Sequence, residues 1–333
     1  MNRFSELASA SRAVDIEKVF VKIGGVTQGM FIQSTDPANP VLLFLHGGPG
    51  MPEFFLARNH PTGLEQSFTV AWWEQRGAGM SYTAATTSQG LSFEQLVADT
   101  IEVTQYLRTR FHQDRIVLLG HSWGSFLGIQ VAKAAPQLYS AYVGMGQVSY
   151  QLHSEEAARL YMLEQYRARG DTSMVRKLIA APANRSVGLS SAYLHLRDQA
   201  MHRLGIGTTR AMHSVITGVF LAVWVCSDYS FRERLAIWRG LSFSRQQLWT
   251  EFITTDLTHR VLSLDLPIYF FSGRYDYTSN AAYARGYFDL ILSPVKGFYT
   301  FAESAHSPLF EEPERAVEIL TRDVCAGLTA LAD

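Results

Sequence analysis

Ile116-Val117-Leu118-Leu119-Gly120-His121-Ser122-Trp123-Gly124-Ser125 passes from a short β-branched, apolar run into residues 126–135, a stretch of helical composition closed by Pro136. At its centre, Gly120-x-Ser122-x-Gly124 is the pattern of a strand that turns directly into a helix with a serine at the apex. Such a turn holds the serine in a strained backbone and leaves only glycine-sized room two residues to either side. A serine hydroxyl is a weak nucleophile until a base takes its proton and a third group orients that base. If Ser122 is the nucleophile, a histidine and a carboxylate must reach the same edge of the same sheet.

Working outward, Val19, Val21 and Ile23 alternate with Lys18, Phe20 and Lys22, Gly24-Gly25 breaks the run, and residues 26–33 resume it, which predicts an opening hairpin. Residues 41–45, 68–73, 116–119, 141–145, 268–271 and 298–301 are short continuous apolar runs, suited to strands buried on both faces. Segments of helical period lie between them, such as Phe93, Leu96, Val97, Thr100, Ile101 and Leu107 behind the cap candidate Ser92. This alternation predicts an α/β protein with a mostly parallel central sheet flanked by helices. The rhythm stops after Met145 and returns at Leu266, an interval too long for a loop. It reads as helices separated at Gly170, Pro182, Gly188, Gly205 and Gly240. Residues 1–149 and 264–333 are therefore expected to form the core and residues 150–263 an inserted helical cap. Residues 215–226, the most apolar stretch, fall short of the ~20 needed to cross a bilayer and read as a buried or cavity-lining helix.

The later strands supply the partners. Residues 267–272 run into Gly273-Arg274-Tyr275-Asp276, which puts Asp276 just past the carboxyl end of a strand, the edge where open α/β sheets bind ligands. Residues 298–301 are followed by Ala302-Glu303-Ser304-Ala305-His306, which brings His306 to the same edge. Ser122, Asp276 and His306 follow the chain order expected with this kind of nucleophile turn. The competitors are weaker. The side chain of His121 should leave the turn in another direction, His46 reads as a structural hydrogen-bonding residue, and His153, His195, His202 and His213 read as packing or solvent-facing cap residues. Asp265 precedes its strand, Asp289 lies on the following helix, and Glu303 is placed to assist His306. Acyl transfer also needs fixed donors for the developing oxyanion. His46-Gly47-Gly48-Pro49-Gly50 after residues 41–45 offers the backbone N–H of Gly48, and the start of the helix offers that of Trp123.

The chain has 333 residues, 47% hydrophobic and 18% charged, which suits a large globular domain with an insertion and excludes disorder as its main content. With 29 Lys+Arg against 30 Asp+Glu and no run of like charge, no nucleic-acid partner is expected. Cys226 and Cys325 lack metal-ligand spacing and read as two buried thiols of a reducing compartment. Residues 1–12 lack the apolar stretch of a secretory signal, so the expected location is cytoplasmic, with no membrane association, no metal and no cofactor.

The motifs taken together, His46-Gly47-Gly48-Pro49-Gly50, Trp73-Glu74-Gln75-Arg76-Gly77-Ala78-Gly79-Met80-Ser81, Gly120-His121-Ser122-Trp123-Gly124, Gly273-Arg274-Tyr275-Asp276 and Ala305-His306-Ser307, resemble the proline iminopeptidase-like branch of the α/β-hydrolase superfamily. The resemblance implies an α/β-hydrolase core with a helical cap, a triad of Ser122, Asp276 and His306, no metal, and a supporting role for the Glu74 to Ser81 loop. Glu74 and Met80 stand where that family's loop usually has Asp and often Arg. The resemblance also implies cap glutamates that hold the substrate's free amino group, one of them in a Trp-Glu pair. Here Val225 follows Trp224, leaving Glu155, Glu156, Asp228 and Glu233 as candidate acids. Phe220, Trp224 and Tyr229 suit the binding of an apolar acyl or alcohol group.

The expected function is a serine hydrolase that cleaves a small ester, amide or short peptide through an acyl-enzyme. The alternatives left open are an esterase, lactonase or amidase without aminopeptidase activity, a triad-bearing lyase, and a non-catalytic ligand receptor. The oligomeric state is not legible at this level.

Overall fold

The computed structural model describes residues 14–333 apart from Arg185 and Val187. In chain order the strands are β1 (Asp15–Ile23), β2 (Val26–Ser34), β3 (Val41–Leu45), β4 (Thr69–Trp73), β5 (Ile116–His121), β6 (Tyr139–Met145), β7 (Ala183–Asn184), β8 (Gly188–Leu189), β9 (Ile268–Gly273) and β10 (Lys296–Phe301). Eight of them make one sheet in the order β1-β2-β4-β3-β5-β6-β9-β10, and β7 pairs with β8 alone. β1, β2 and β4 pair antiparallel, and every pairing from β4 to β10 is parallel. This is the α/β architecture the apolar runs predict.

The continuous apolar strands follow from burial on both faces. Leu43, Leu45 and Leu118 point into one core layer, Leu42, Phe44, Val117 and Leu119 into the other, as a period of two requires. The helix Phe93–Arg110 packs in the first layer. Its start is capped by the Ser92 hydroxyl accepting from Gln95 N–H, and Arg108 and Arg110 sit at its negative end.

Between β6 and β9 the chain leaves the sheet and builds the helices Gln151–Ala168, Thr172–Ala180, Ser191–Leu204, Leu221–Val225, Phe231–Thr254 and Leu257–Arg260. Part of this segment has its own small core around Met162, Leu178, Tyr193 and Met201. Two expectations need correction and a third holds in part. Gly240 does not separate helices; it lies inside Phe231–Thr254, where a Cβ would come within 2.6 Å of the Gly77 carbonyl, so the glycine lets this helix cross the Gly77–Gly79 backbone closely. Residues 215–226 meet the expectation of a buried or cavity-lining helix on one face only: Val215 and Val219 line a cavity and Ala222 and Val223 pack inward, whereas Ile216, Phe220, Leu221 and Val225 are exposed. Cys226 is buried, but Cys325 is exposed, on the outer side of the last turn after Val324. Among the described residues no helix is long and apolar enough to cross a membrane.

Candidate active site

The sequence around Ser122 builds the turn its glycines foretell. β5 ends at His121, Ser122 takes φ 56° and ψ −119°, and the helix Trp123–Ala134 begins at the next residue. This start is three residues earlier than the composition suggested, because the turn contains no linker. A Cβ on Gly120 would lie 2.2 Å from the Gly124 carbonyl oxygen, and one on Gly124 would lie 2.0 Å from that of Leu45. Both positions therefore exclude any side chain. The Ser122 N–H donates to the Met145 carbonyl at 3.0 Å, and its own carbonyl accepts from Ser125 N–H at 2.8 Å. These bonds hold a non-glycine residue at positive φ, where it is otherwise disfavoured.

Asp276 sits on the turn after β9. Its Oδ1 accepts from the N–H groups of Thr278 (2.8 Å) and Ser279 (3.0 Å), and its Oδ2 from the Ser279 hydroxyl (2.7 Å) and His306 Nδ1 (3.0 Å). Burial alone would raise the pKa of this carboxyl, but the His306 charge and the bonds from His306 and Ser279 hold it below its ordinary value. Asp276 is thus an ionised acceptor with both oxygens fixed. Bonding through Nδ1 leaves His306 Nε2, a buried atom without a hydrogen-bond partner among the described residues. The imidazole rests on Gly146, where a Cβ would stand 2.8 Å from Cε1.

The Gly47-Gly48 peptide is fixed through its carbonyl, which accepts from His46 Nδ1 at 2.8 Å and from Met51 N–H at 3.2 Å. A trans peptide is planar, so this holds the Gly48 N–H in the opposite direction. Trp123 is the first residue of its helix, so its N–H has no acceptor within the helix. His46 also accepts from Gln75 N–H at its Nε2 (3.1 Å), and burial above all lowers its pKa to about 4, against weaker contributions from the Gly47 carbonyl and the Glu53 charge. His46 is a neutral structural residue. Gln75 donates to the His46 carbonyl (3.0 Å) and accepts from the Trp123 indole (2.9 Å), tying two loops together. Arg76 anchors the same segment from below. Its buried guanidinium meets Asp99 at 2.6 and 3.0 Å and the Gly24 carbonyl at 2.8 Å.

Gly48, Ser122 and His306 face one cavity of about 260 Å³. Its far wall comes from the inter-strand helices: Val215, Val219, Trp238, Leu241, Trp249 and Phe252 are apolar, and Glu155, Arg197, Asp198 and Arg245 are charged. The Glu155 carboxylate is buried and already engaged by Arg197 Nε (2.7 and 2.9 Å), the Tyr193 hydroxyl (2.8 Å) and Gln151 (2.9 Å). Arg197 also bonds Asp198 at 2.8 Å; burial would raise the Asp198 pKa, but the Arg197 charge brings it down.

The three residues expected to bind substrate, Phe220, Trp224 and Tyr229, do not line this cavity. Phe220 is exposed and Trp224 is half-buried, and they pack at tilted angles on each other and against Trp238 and Phe231. Tyr229 is buried between Phe31 and Phe54 with its hydroxyl on Glu74 at 2.6 Å. Apolar composition alone does not say which side of a helix meets a pocket; Val215, Val219 and Trp238 occupy the places those residues were expected to fill.

Among the other candidates, Glu303 pairs with Arg210, Asp228 with Arg58 and Glu233 with Lys18, none of them on the cavity. His202 does line the cavity, bonded to the Asp198 carbonyl, and burial lowers its pKa. Glu53 escaped the sequence reading. It is buried, faces the cavity and carries hydrogen bonds from Gly47 N–H and from His121; its only signal is a lone acid three residues past the glycine loop. Among the described residues no group of three or more His, Cys, Asp or Glu is arranged to hold a metal ion.

A family model described as alpha/beta hydrolase fold matches residues 40–313. A probable aminopeptidase, YbaC, of Bacillus subtilis (strain 168) is 32% identical over 304 residues, covering 91% of this chain and 94% of its own. A proline iminopeptidase of Saccharolobus solfataricus is 22% identical over 328 residues, covering 92% of each. Among solved structures, a proline iminopeptidase-related protein from Thermus thermophilus superimposes with a TM-score of 0.64 at 20% identity, over 95% of this chain and 99% of its own. At that identity the likeness is one of fold.

Proposed function

The chain belongs to the alpha/beta hydrolase fold family, and from that premise we propose that it is a serine hydrolase that cleaves small ester, amide or short peptide bonds through an acyl-enzyme on Ser122. Residues 150–263 act as the cap that closes the pocket over it. The observation that carries the reading is the state of His306: Nδ1 is bound to an ionised Asp276, and Nε2 is buried, has no hydrogen-bond partner among the described residues and shares a cavity with the strained Ser122. In this reading Ser122 Oγ attacks the scissile carbonyl and His306 Nε2 takes its proton. The oxyanion is held by the N–H groups of Gly48 and Trp123. His306 then returns the proton to the leaving group, and a water activated by His306 releases the acyl group.

Two readings of the substrate have support. The names of the curated relatives favour an aminopeptidase, and Glu155 and Asp198 on the cavity wall are the acids available to a substrate ammonium. Against this, Arg197 already neutralises both acids, which favours an ester or amide hydrolase indifferent to a free amine. The test is hydrolysis of a free-amino prolyl anilide and of a short-chain p-nitrophenyl ester, each with wild type and Ser122→Ala. Serine-dependent cleavage of the anilide that is lost when its amine is acylated supports the aminopeptidase. Ester cleavage alone supports the second reading, and activity that survives Ser122→Ala removes both.

A further inference from the structure

We infer that Glu53 and His121 form a positioning pair that sets the oxyanion loop, the nucleophile turn and the base loop relative to one another. The inference deepens the serine-hydrolase reading and rests on it. Glu53 Oε1 accepts from Gly47 N–H at 2.8 Å, and the two carboxylate oxygens accept from His121 Nδ1 at 2.8 and 2.9 Å. On the other side of the ring, His121 Nε2 donates to the backbone carbonyl of His306 at 3.0 Å. One carboxylate and one imidazole therefore touch the residue before Gly48, the residue before Ser122 and the backbone of His306 itself. The fit leaves no slack: a Cβ on Gly47 would stand 2.8 Å from Glu53 Oε1 and 3.3 Å from Ser122 Cβ.

The partners also assign the protons. A carbonyl oxygen only accepts, so Nε2 carries a hydrogen; an ionised carboxylate only accepts, so Nδ1 carries one as well. Burial opposes a charge on this ring, but the neighbouring Glu53 outweighs it and raises the pKa of His121. His121 is thus committed as a donor on both sides and has no nitrogen free to take a proton from Ser122, although it is the histidine next to it. Its task is geometric. Displacement of reacting groups by about 1 Å costs on the order of 100-fold in rate, and this pair spans three of the groups that must be aligned.

The test is a double-mutant cycle on kcat with the p-nitrophenyl ester, using Glu53→Ala, His121→Ala and the double variant. Tyr299→Phe, a buried hydrogen-bond loss remote from the cavity, serves as the stability control. Each single variant is expected to lower kcat about 10–100-fold while KM stays within about threefold, and the double variant to be no worse than the poorer single, because the two act as one unit. Glu53→Gln is expected to restore kcat to within about tenfold of wild type, since a neutral His121 can keep Nε2–H on the His306 carbonyl and accept the amide N–H at Nδ1. Where an alanine variant does not fold, Glu53→Met and His121→Phe, which keep the volume and lose the hydrogen bonds, complete the same cycle. Retention of kcat within twofold in the single variants, or losses that multiply in the double, overturns the inference. A loss of kcat in Tyr299→Phe equal to that in Glu53→Ala assigns the effect to stability and overturns it as well. Failure of the underlying reading is separate: it shows as activity in Ser122→Ala.

Discussion

On the sheet side of the cavity, His46, Gln75, His121 and Asp276 each spend hydrogen-bonding capacity on the backbone or side chains of a neighbouring loop, and His306 Nε2 is left without a partner among the described residues. The helical side is built otherwise. There a stripe of Trp238, Leu241, Trp249 and Phe252 follows one face of the long helix Phe231–Thr254, broken by Arg245 and by the Glu155–Arg197–Asp198 network. The contrast separates two kinds of constraint. Chemistry demands fixed angles among a few groups, and short motifs at strand ends supply them; the fit of a substrate demands only a wall of suitable shape, which many sequences can line.

The largest effects should come from breaking the sheet side. Asp276→Asn keeps the shape but cannot hold His306 in the tautomer that leaves Nε2 as the base, so kcat should fall about 10⁴-fold with a melting temperature close to wild type. A loss under tenfold would mean that His306 does not act through Asp276. Arg76→Ala removes one partner of the buried pair with Asp99 and should cost about 3–5 kcal/mol in urea unfolding.

Glu74 joins the two sides, because its carboxyl receives the Tyr229 hydroxyl from the helical segment. Burial raises its pKa from 4.5 to about 7, against bonds from Tyr229 and Met80 that lower it. Between those pH values the folded protein keeps a proton that the unfolded chain has lost, so this group's contribution to stability declines as pH rises through that window. Glu74→Gln stays neutral, and its stability relative to wild type should improve by about 3 kcal/mol between pH 4 and pH 8. A difference that does not change with pH would refute the burial account.

Gly240→Ala tests how closely the helix Phe231–Thr254 must approach the Gly77–Gly79 backbone. The new Cβ meets the Gly77 carbonyl at 2.6 Å, and the forced shift should cost about 1–3 kcal/mol. The smallest effect should be that of Phe220→Ala: a residue that does not line the cavity should leave kcat/KM for a short ester within about twofold, and a tenfold loss would place the substrate elsewhere on the helical segment.

Much of the sheet was legible because its strands are buried on both faces and so read as unbroken apolar runs; residues 41–45 coincide with β3 to the residue. The tight turn at Ser122 was legible because Gly120 and Gly124 are required by backbone atoms within 2.2 Å of where a side chain would start. The resemblance to the proline iminopeptidase-like branch rested on such places and agrees with the relatives found. The pocket wall was not legible. Phe220 and Trp224 have the composition of a binding surface and do not line the cavity, and Gly240 has the composition of a helix break and marks a crossing.

The sequence by itself determined the sheet, the strained serine and the strand ends at which Asp276 and His306 appear, because each depends on local backbone sterics or on an alternation only a few residues long. The tertiary structure alone decided that Glu53 reaches His121, that Arg197 occupies Glu155, and which face of each helix lines the cavity. Those contacts join residues as far apart as 68 and 42 positions, and they depend on how separate helices and loops pack, a property no short stretch of chain contains.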